Sequence, residues 1–174
     1  VDTRSYRFTP TIEVSTRNAI LRPAVTAHKP AASAAHATVS TNEVTVEGAA
    51  KDTARFTMTA RNDSTTVLSD FTISAGRVRG RAQAASVTCD LTAFGGEVVS
   101  ATGPAESLTV SSGTAKVPQG KEITCQVDLS GMVGRNRVKA ALTTGDQTFS
   151  SDYVKDRPVV EVSTHPTDLL VEAD

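Results

Sequence analysis

The sequence predicts an all-β protein, an antiparallel β-sandwich with extended N- and C-terminal segments. Three observations support this prediction. Between residues 38 and 156, short stretches alternate between apolar and polar residues, which is the pattern of half-buried strands. Turn signals separate these stretches roughly every 8–12 residues. No helical pattern in this region is long enough for a βαβ unit, so a parallel sheet is not expected.

Four strands are predicted in the first half of this region. Three of them cover residues 43–47, 55–61 and 68–73, and the fourth, with Val87, Cys89 and Leu91 on one face, ends near Gly95-Gly96. The second strand places Phe56 and Met58 on one face, with threonines and arginines on the other. Asn62-Asp63-Ser64 is interpreted as a turn, in preference to the glycosylation sequon that it also spells.

Four further strands are predicted in the second half, separated by turns that contain glycine or proline. They cover residues 108–110, 123–129, 138–142 and 149–153. Aromatic residues make up only 4% of the chain and Trp is absent. We therefore expect a core of Val, Ile, Leu and Ala with a few Phe.

A basic segment lies between the third and fourth predicted strands. Residues 76–81 read Gly-Arg-Val-Arg-Gly-Arg and are predicted to form a loop. Because Arg77, Arg79 and Arg81 alternate, they would project from one side if the segment were extended. These arginines are candidate ligand-binding residues for an acidic polymer or for the acidic tail of a neighbour. An exposed loop without a ligand is the alternative.

The chain has two cysteines, Cys89 and Cys125, each centred in an alternating strand. Period-2 geometry points both side chains into the core, where they are well placed to form a disulfide. A disulfide would indicate an oxidising compartment outside the cytoplasm. The alternative is a pair of buried free thiols that pack as small apolar side chains.

The two ends of the chain share a phrase. Residues 10–16 read Pro-Thr-Ile-Glu-Val-Ser-Thr, and residues 158–164 read Pro-Val-Val-Glu-Val-Ser-Thr. Such self-similarity is typical of tandem modules or of interchangeable ends. Eight residues of the two copies are therefore predicted to contact neighbouring subunits. They are Thr11, Ile12, Glu13 and Val14, and Val159, Val160, Glu161 and Val162.

Composition and charge divide the chain into three parts: an N-terminal arm or linker at 1–37, the sandwich at 38–156, and a C-terminal strand or linker at 157–174. Residues 1–40 carry five basic and two acidic side chains, whereas residues 152–174 carry two basic and six acidic ones. Opposite charges at opposite ends favour and orient head-to-tail contact. Two solvated tails are the alternative interpretation.

The sequence offers no pattern of catalytic or metal-binding residues. The three histidines lack metal-ligand spacing, and no Gly-x-Ser-x-Gly elbow or phosphate-binding loop is present. We expect neither an enzyme nor a cofactor. A net charge of −1 does not favour nucleic acid, and no apolar run is long enough to span a membrane.

Several segments resemble the Ig-like repeats found in tandem in bacterial surface proteins. Residues 41–48, Thr-Asn-Glu-Val-Thr-Val-Glu-Gly, and residues 54–64, which end in Arg-Asn-Asp-Ser, resemble the opening of such a repeat. Residues 117–125, where a Pro-Gly turn leads into Ile-Thr-Cys, resemble its second half. The resemblance covers about residues 38–164. Residues 17–37 depart from the pattern because they are longer and richer in Ala and Pro than an ordinary link.

The resemblance implies an Ig-like sandwich in a secreted or wall-attached protein of actinobacterial type, without an active site. We therefore expect a structural module of an extracellular fibre, pilus-like filament or stalk that assembles head-to-tail with itself or with neighbouring repeats. Strand exchange through the terminal segments is the expected mechanism. The alternatives are an adhesin for a host protein or glycan, and a decoration or tail protein of a virion.

Overall fold

A computed structural model describes residues 35–157. Both copies of the repeated phrase, and with them all eight predicted subunit-contact residues, lie outside the described residues. Within residues 35–157, nine strands are present. Strands β1 to β9 cover Ala37–Val44, Ala54–Asn62, Phe71–Arg79, Ala84–Asp90, Val98–Pro104, Leu108–Ser111, Glu122–Ser130, Gly134–Thr144 and Gln147–Arg157.

The strands form two antiparallel sheets. The five-stranded sheet has the order β1-β2-β7-β4-β5, and the four-stranded sheet has the order β6-β3-β8-β9. The order β1-β2-β7-β4 in one sheet and β9-β8-β3 in the other matches the four-plus-three strand arrangement of an Ig constant-type domain. Strands β5 and β6 are additions to that arrangement, one at the edge of each sheet. The predicted all-β, Ig-like sandwich is confirmed for this region.

The core lies between the two sheets and follows the alternation in the sequence. In β2, the residues at alternate positions from Phe56 to Ala60 are at most 1% exposed, whereas the residues between them face outward. The ring of Phe56 stacks on Tyr153 of β9 at a centroid distance of 4.4 Å, which joins one sheet to the other. Because each strand buries only one face, period-2 alternation predicts most of these strands.

Four strand predictions are corrected by the structure. The first strand is Ala37–Val44, earlier than the predicted 43–47, because β1 follows β2 in register from Ala37 to Val44. The segment 76–81 is not a loop throughout, since β3 continues to Arg79. The fourth predicted strand ends at Asp90, before a short 3-10 helix at Thr92–Phe94, and not near Gly95-Gly96. Strand β5 was not predicted, because its short alternation from Val99 to Thr102 contains no large apolar residue.

The described chain starts and ends at opposite ends of the sandwich. The ring of His36, just before β1, lies 5.5 Å from the ring of Phe149 near the start of β9. Arg157, the last residue of β9, donates instead to the carbonyl of Thr53 in the β1–β2 connection. The nine residues from Phe149 to Arg157, which are eight steps along the strand, span roughly 26 Å at the usual rise of an antiparallel strand.

Candidate functional site

The two cysteines form a disulfide in the interior. Cys89 of β4 and Cys125 of β7 are direct cross-strand partners, with an S–S distance of 2.10 Å and side chains at most 1% exposed. The bond therefore joins neighbouring strands of the five-stranded sheet and not the two sheets to each other. Its position in the core indicates a role in stability.

The structure separates the three arginines of the basic segment. A register shift between Arg77 and Arg79 interrupts the pairing of β3 with β8. Arg77 consequently shares a side of the sheet with buried Val138, and it donates to the carbonyl of Ala82 and to Glu106. Arg81 lies in the β3–β4 connection. The expectation that the three arginines project from one side is wrong, because the β-bulge turns Arg79 to the opposite face.

Asn136 of β8 holds the β3–β4 connection in place. Its buried Oδ1 accepts from the backbone N–H groups of Arg81 and Ala82 at 2.7 and 3.0 Å, and its Nδ2 donates to two carbonyls. Gly80, with φ of +106°, passes so close that an added Cβ would lie 2.2 Å from that Oδ1. The backbone after Arg79 is thus fixed by a buried polar contact.

Arg79 lies beside two arginines that are not among the predicted ligand-binding residues. It lies directly opposite Arg137, and Arg135 lies two residues earlier on the same outward face of β8. We call Arg79, Arg135 and Arg137 the arginine cluster. Together with Asp152 and Val154 of β9, they line a depression of about 440 Å³. Arg135 and Arg137 alternate in the sequence, but only the register of β3 with β8 brings them beside Arg79.

The arginine cluster has one ion pair within residues 35–157. Arg137 Nε lies 2.9 Å from Asp152 Oδ2, and both side chains are substantially exposed to solvent. Arg79 and Arg135 make no ion pair in that part of the chain. Since Arg79 and Arg137 are direct cross-strand partners, the arrangement also places two like charges side by side.

One lateral seam between the sheets is open. Strands β5 and β6 are the sheet edges on this side, and each is paired with only one other strand. A cleft of about 490 Å³ runs between them, with Val99 and Ser100 on one side and Thr109 and Val110 on the other. The unpaired backbone groups of an edge strand are available to a further strand.

The opposite seam, between β1 and β9, is closed by side-chain contacts. Thr41 Oγ1 donates to the carbonyl of Asp152 at 3.3 Å, and Lys155 forms an ion pair with Glu43. Burial raises the pKa of the nearby Tyr153 to about 12, and the Glu43 carboxylate adds to the shift. Strands β1 and β9 are also sheet edges, but their side chains are linked across this seam, whereas the β5–β6 seam contains a cleft.

A groove of about 620 Å³ lies at the end of the sandwich where β9 ends. Its walls are largely small or aliphatic and include Val44, Ala49, Ala84 and Leu129. An ion pair on its rim joins Arg55 Nε to Asp128 Oδ1 at 2.5 Å, and this hydrogen bond raises the pKa of Arg55. The groove combines five separate segments of the chain, so no local pattern in the sequence predicts it.

Other site chemistry is limited in the described region. No group of three or more His, Cys, Asp or Glu side chains within residues 35–157 is placed to hold a metal ion. Asn62 is buried, and its side chain bonds to Ser64, Thr66 and Val117, so the turn interpretation of the sequon is supported. Among the helices of this region, none has the length and apolar character to cross a membrane.

The chain matches no protein-family model and no curated protein. Its structure is similar to an exo-β-N-acetylglucosaminidase from Vibrio harveyi, at 11% identity over 74% of this chain and 19% of that one, with a TM-score of 0.37. It is also similar to the collagen-binding domain of a Staphylococcus aureus adhesin, at 10% identity over 67% and 95%, with a TM-score of 0.41. Similarities at these TM-scores say nothing about what this chain binds or catalyses.

Proposed function

We propose that this chain is a non-catalytic structural module of an extracellular fibre or stalk, joined head-to-tail to its neighbours through its terminal segments. The observation that supports this most directly is the position of its ends. Residues 35 and 157 leave the sandwich at opposite ends of its strands. Consecutive modules can therefore follow one another in a line without the chain having to return along the surface.

Contact between neighbours is proposed to occur by strand addition. The donor is one of the two copies of the repeated phrase, Thr11–Thr16 or Val159–Thr164, whose apolar residues alternate as a strand requires. The β5–β6 seam supports this role, because both of its strands have an unpaired side. Main-chain hydrogen bonds to such an edge provide affinity, and the alternate side chains provide register.

The location of the protein is part of the proposal. A buried disulfide is compatible with an extracellular protein, since such bonds persist in oxidising compartments. It also suits a load-bearing module. The bond closes a loop of 36 residues between β4 and β7, and it keeps these two strands joined even when other contacts break.

Sedimentation velocity of the full chain at high concentration tests the donor segment. The variant Ile12→Asp/Val14→Asp places two charges on the apolar face of the first copy of the phrase and should lose most of the assembled species. The matched control is Thr26→Asp/Ser33→Asp, which adds the same charge outside the phrase and should assemble normally. Equal assembly by the donor variant and the wild type would rule out this copy as the donor.

A further inference from the structure

Over half of its length, the outward face of the four-stranded sheet carries only small, uncharged side chains. Two rows of cross-strand partners cross all four strands. The rows consist of Ser111, Thr72, Thr143 and Thr148, and of Thr109, Ser74, Ala141 and Ser150. Every residue except Ala141 carries a hydroxyl group, and none is larger than threonine. We call these eight residues the hydroxyl face.

The arginine cluster continues the hydroxyl face toward the end of β9. Between the two lies the pair Lys139 and Asp152, opposite each other on β8 and β9. With Asp156 opposite Arg135, this end of the sheet holds four cationic and two anionic side chains. The local excess of positive charge contrasts with the net charge of −1 of the whole chain.

The direct pairing of Arg79 with Arg137 costs stability, because like charges opposite each other on adjacent strands repel. The β-bulge after Arg77 and the buried Asn136 contact nevertheless fix Arg79 in this position. An anion held between the two guanidinium groups would remove the repulsion. Guanidinium groups match carboxylate, sulfate and phosphate oxygens in a bidentate geometry.

We propose that this face binds an acidic polysaccharide. Its sulfate or carboxylate groups pair with Arg79, Arg135 and Arg137, and its sugar hydroxyls bond to the hydroxyl face. The proposal does not depend on head-to-tail assembly, which involves the terminal segments and the β5–β6 seam.

The chemistry of the face favours this ligand over a protein or a neutral sugar. Tight protein partners place aromatic or aliphatic anchors in desolvated pockets, and the hydroxyl face has no large apolar side chain with which to build one. Neutral sugars are held in large part by stacking on aromatic rings, and the eight residues include none. The face can therefore recognise a ligand through charge and through hydrogen bonds to hydroxyl groups, and an acidic polysaccharide offers both kinds of contact.

Calorimetric titration of the full chain at low salt tests the proposal with three probes. Heparin supplies sulfate and carboxylate on a sugar chain, dextran is a neutral polysaccharide, and polyglutamate is an acidic polypeptide. We expect heparin to bind, dextran to give no signal, and polyglutamate to bind at least about tenfold more weakly. The absence of heparin binding, or equal affinity for polyglutamate, would overturn the proposal.

Substitutions in the arginine cluster and in the hydroxyl face test where heparin binds. Arg79→Gln/Arg137→Gln should weaken heparin binding at least about tenfold. The slope of the logarithm of the binding constant against the logarithm of the salt concentration should become shallower by about one for each arginine removed. Thr72→Val/Thr143→Val removes two hydroxyl groups with little change of shape and should weaken binding severalfold. The control Lys116→Gln/Lys121→Gln removes the same charge elsewhere on the surface and should bind normally. Equal loss in the control, or full affinity in either test variant, would contradict the proposed site.

Discussion

Tyr153 shows how a single residue couples the core to pH. It is 5% exposed, stacks on Phe56, and lies at the seam that β1 and β9 close. Burial, with a further contribution from Glu43, raises its pKa from 10.0 to about 12. In the unfolded chain the same group ionises near the lower value. The folded state therefore keeps a proton that the unfolded state has already released.

The sign of the resulting pH dependence follows from linkage. The contribution of Tyr153 to stability is complete below about pH 10 and is lost as the pH rises toward about 12. The free energy of unfolding, measured with urea, should be lower at about pH 11 than at about pH 9 in the wild type. The decrease should be smaller in Tyr153→Phe. In Tyr6→Phe, where Tyr153 is the only tyrosine, tyrosinate absorbance should titrate above pH 10. Titration at the ordinary value would contradict this account.

The disulfide between Cys89 and Cys125 is expected to stabilise the folded chain. Cys89→Ala/Cys125→Ala should lower the free energy of unfolding by roughly 3–4 kcal/mol, because a loop of this length is no longer closed in the unfolded chain. Urea unfolding measures the change. A reductant should destabilise the wild type by a similar amount and leave the variant unaffected. A variant as stable as the wild type would show that the bond contributes nothing.

At the scale of elements, the β5–β6 seam presents two edge strands to which a further strand can be added. Val98 and Ser100 are exposed on β5, the edge strand of the five-stranded sheet. Lysines on an edge strand discourage the pairing of a further strand. Val98→Lys/Ser100→Lys should therefore leave the fold intact and remove most of the assembled species in sedimentation velocity.

The control for this prediction places the same charges on interior strands. Thr88 of β4 and Thr124 of β7 are exposed on the same sheet, but both strands are paired on two sides. Thr88→Lys/Thr124→Lys should assemble like the wild type. If the control loses assembly to the same extent as the edge variant, the effect comes from charge alone and the seam is not the contact.

The elements also show which parts of the structure the sequence could predict. Alternation identified strands such as β2 and β7, because each has one buried and one solvated face. It failed at β5, where the inward-facing Val99 and Ala101 are only partly buried against the core. It also failed at the end of β3, where the glycines and arginines indicate a loop but pairing with β8 continues the strand.

The candidate sites were less predictable than the strands. The arginine cluster depends on a register shift at Arg79 and on residues about 56 positions later, which only the pairing of β3 with β8 brings into contact. The groove at the end of β9 combines the β1–β2 connection with parts of several strands. Neither arrangement leaves a local pattern in the chain, in contrast to Cys89 and Cys125, each of which lies in a clear alternation.

At the scale of the whole molecule, three features are compatible with the proposed linear assembly. The described ends of the sandwich lie at opposite ends of the strands, one lateral seam is closed, and the other is open. The chain also carries excess positive charge near its beginning and excess negative charge near its end. Attraction between exposed charges is screened by salt, so head-to-tail contact of this kind should weaken as ionic strength rises.

Electron microscopy of the purified 174-residue chain at high concentration, in low and in high salt, decides whether the chain assembles head-to-tail. We expect regular filaments in low salt that become shorter or fewer in high salt, since screening weakens the contact between oppositely charged ends. Monodisperse particles in both conditions would contradict head-to-tail assembly. The repeated phrase would then be a linker between modules, and the partner would have to be an external ligand.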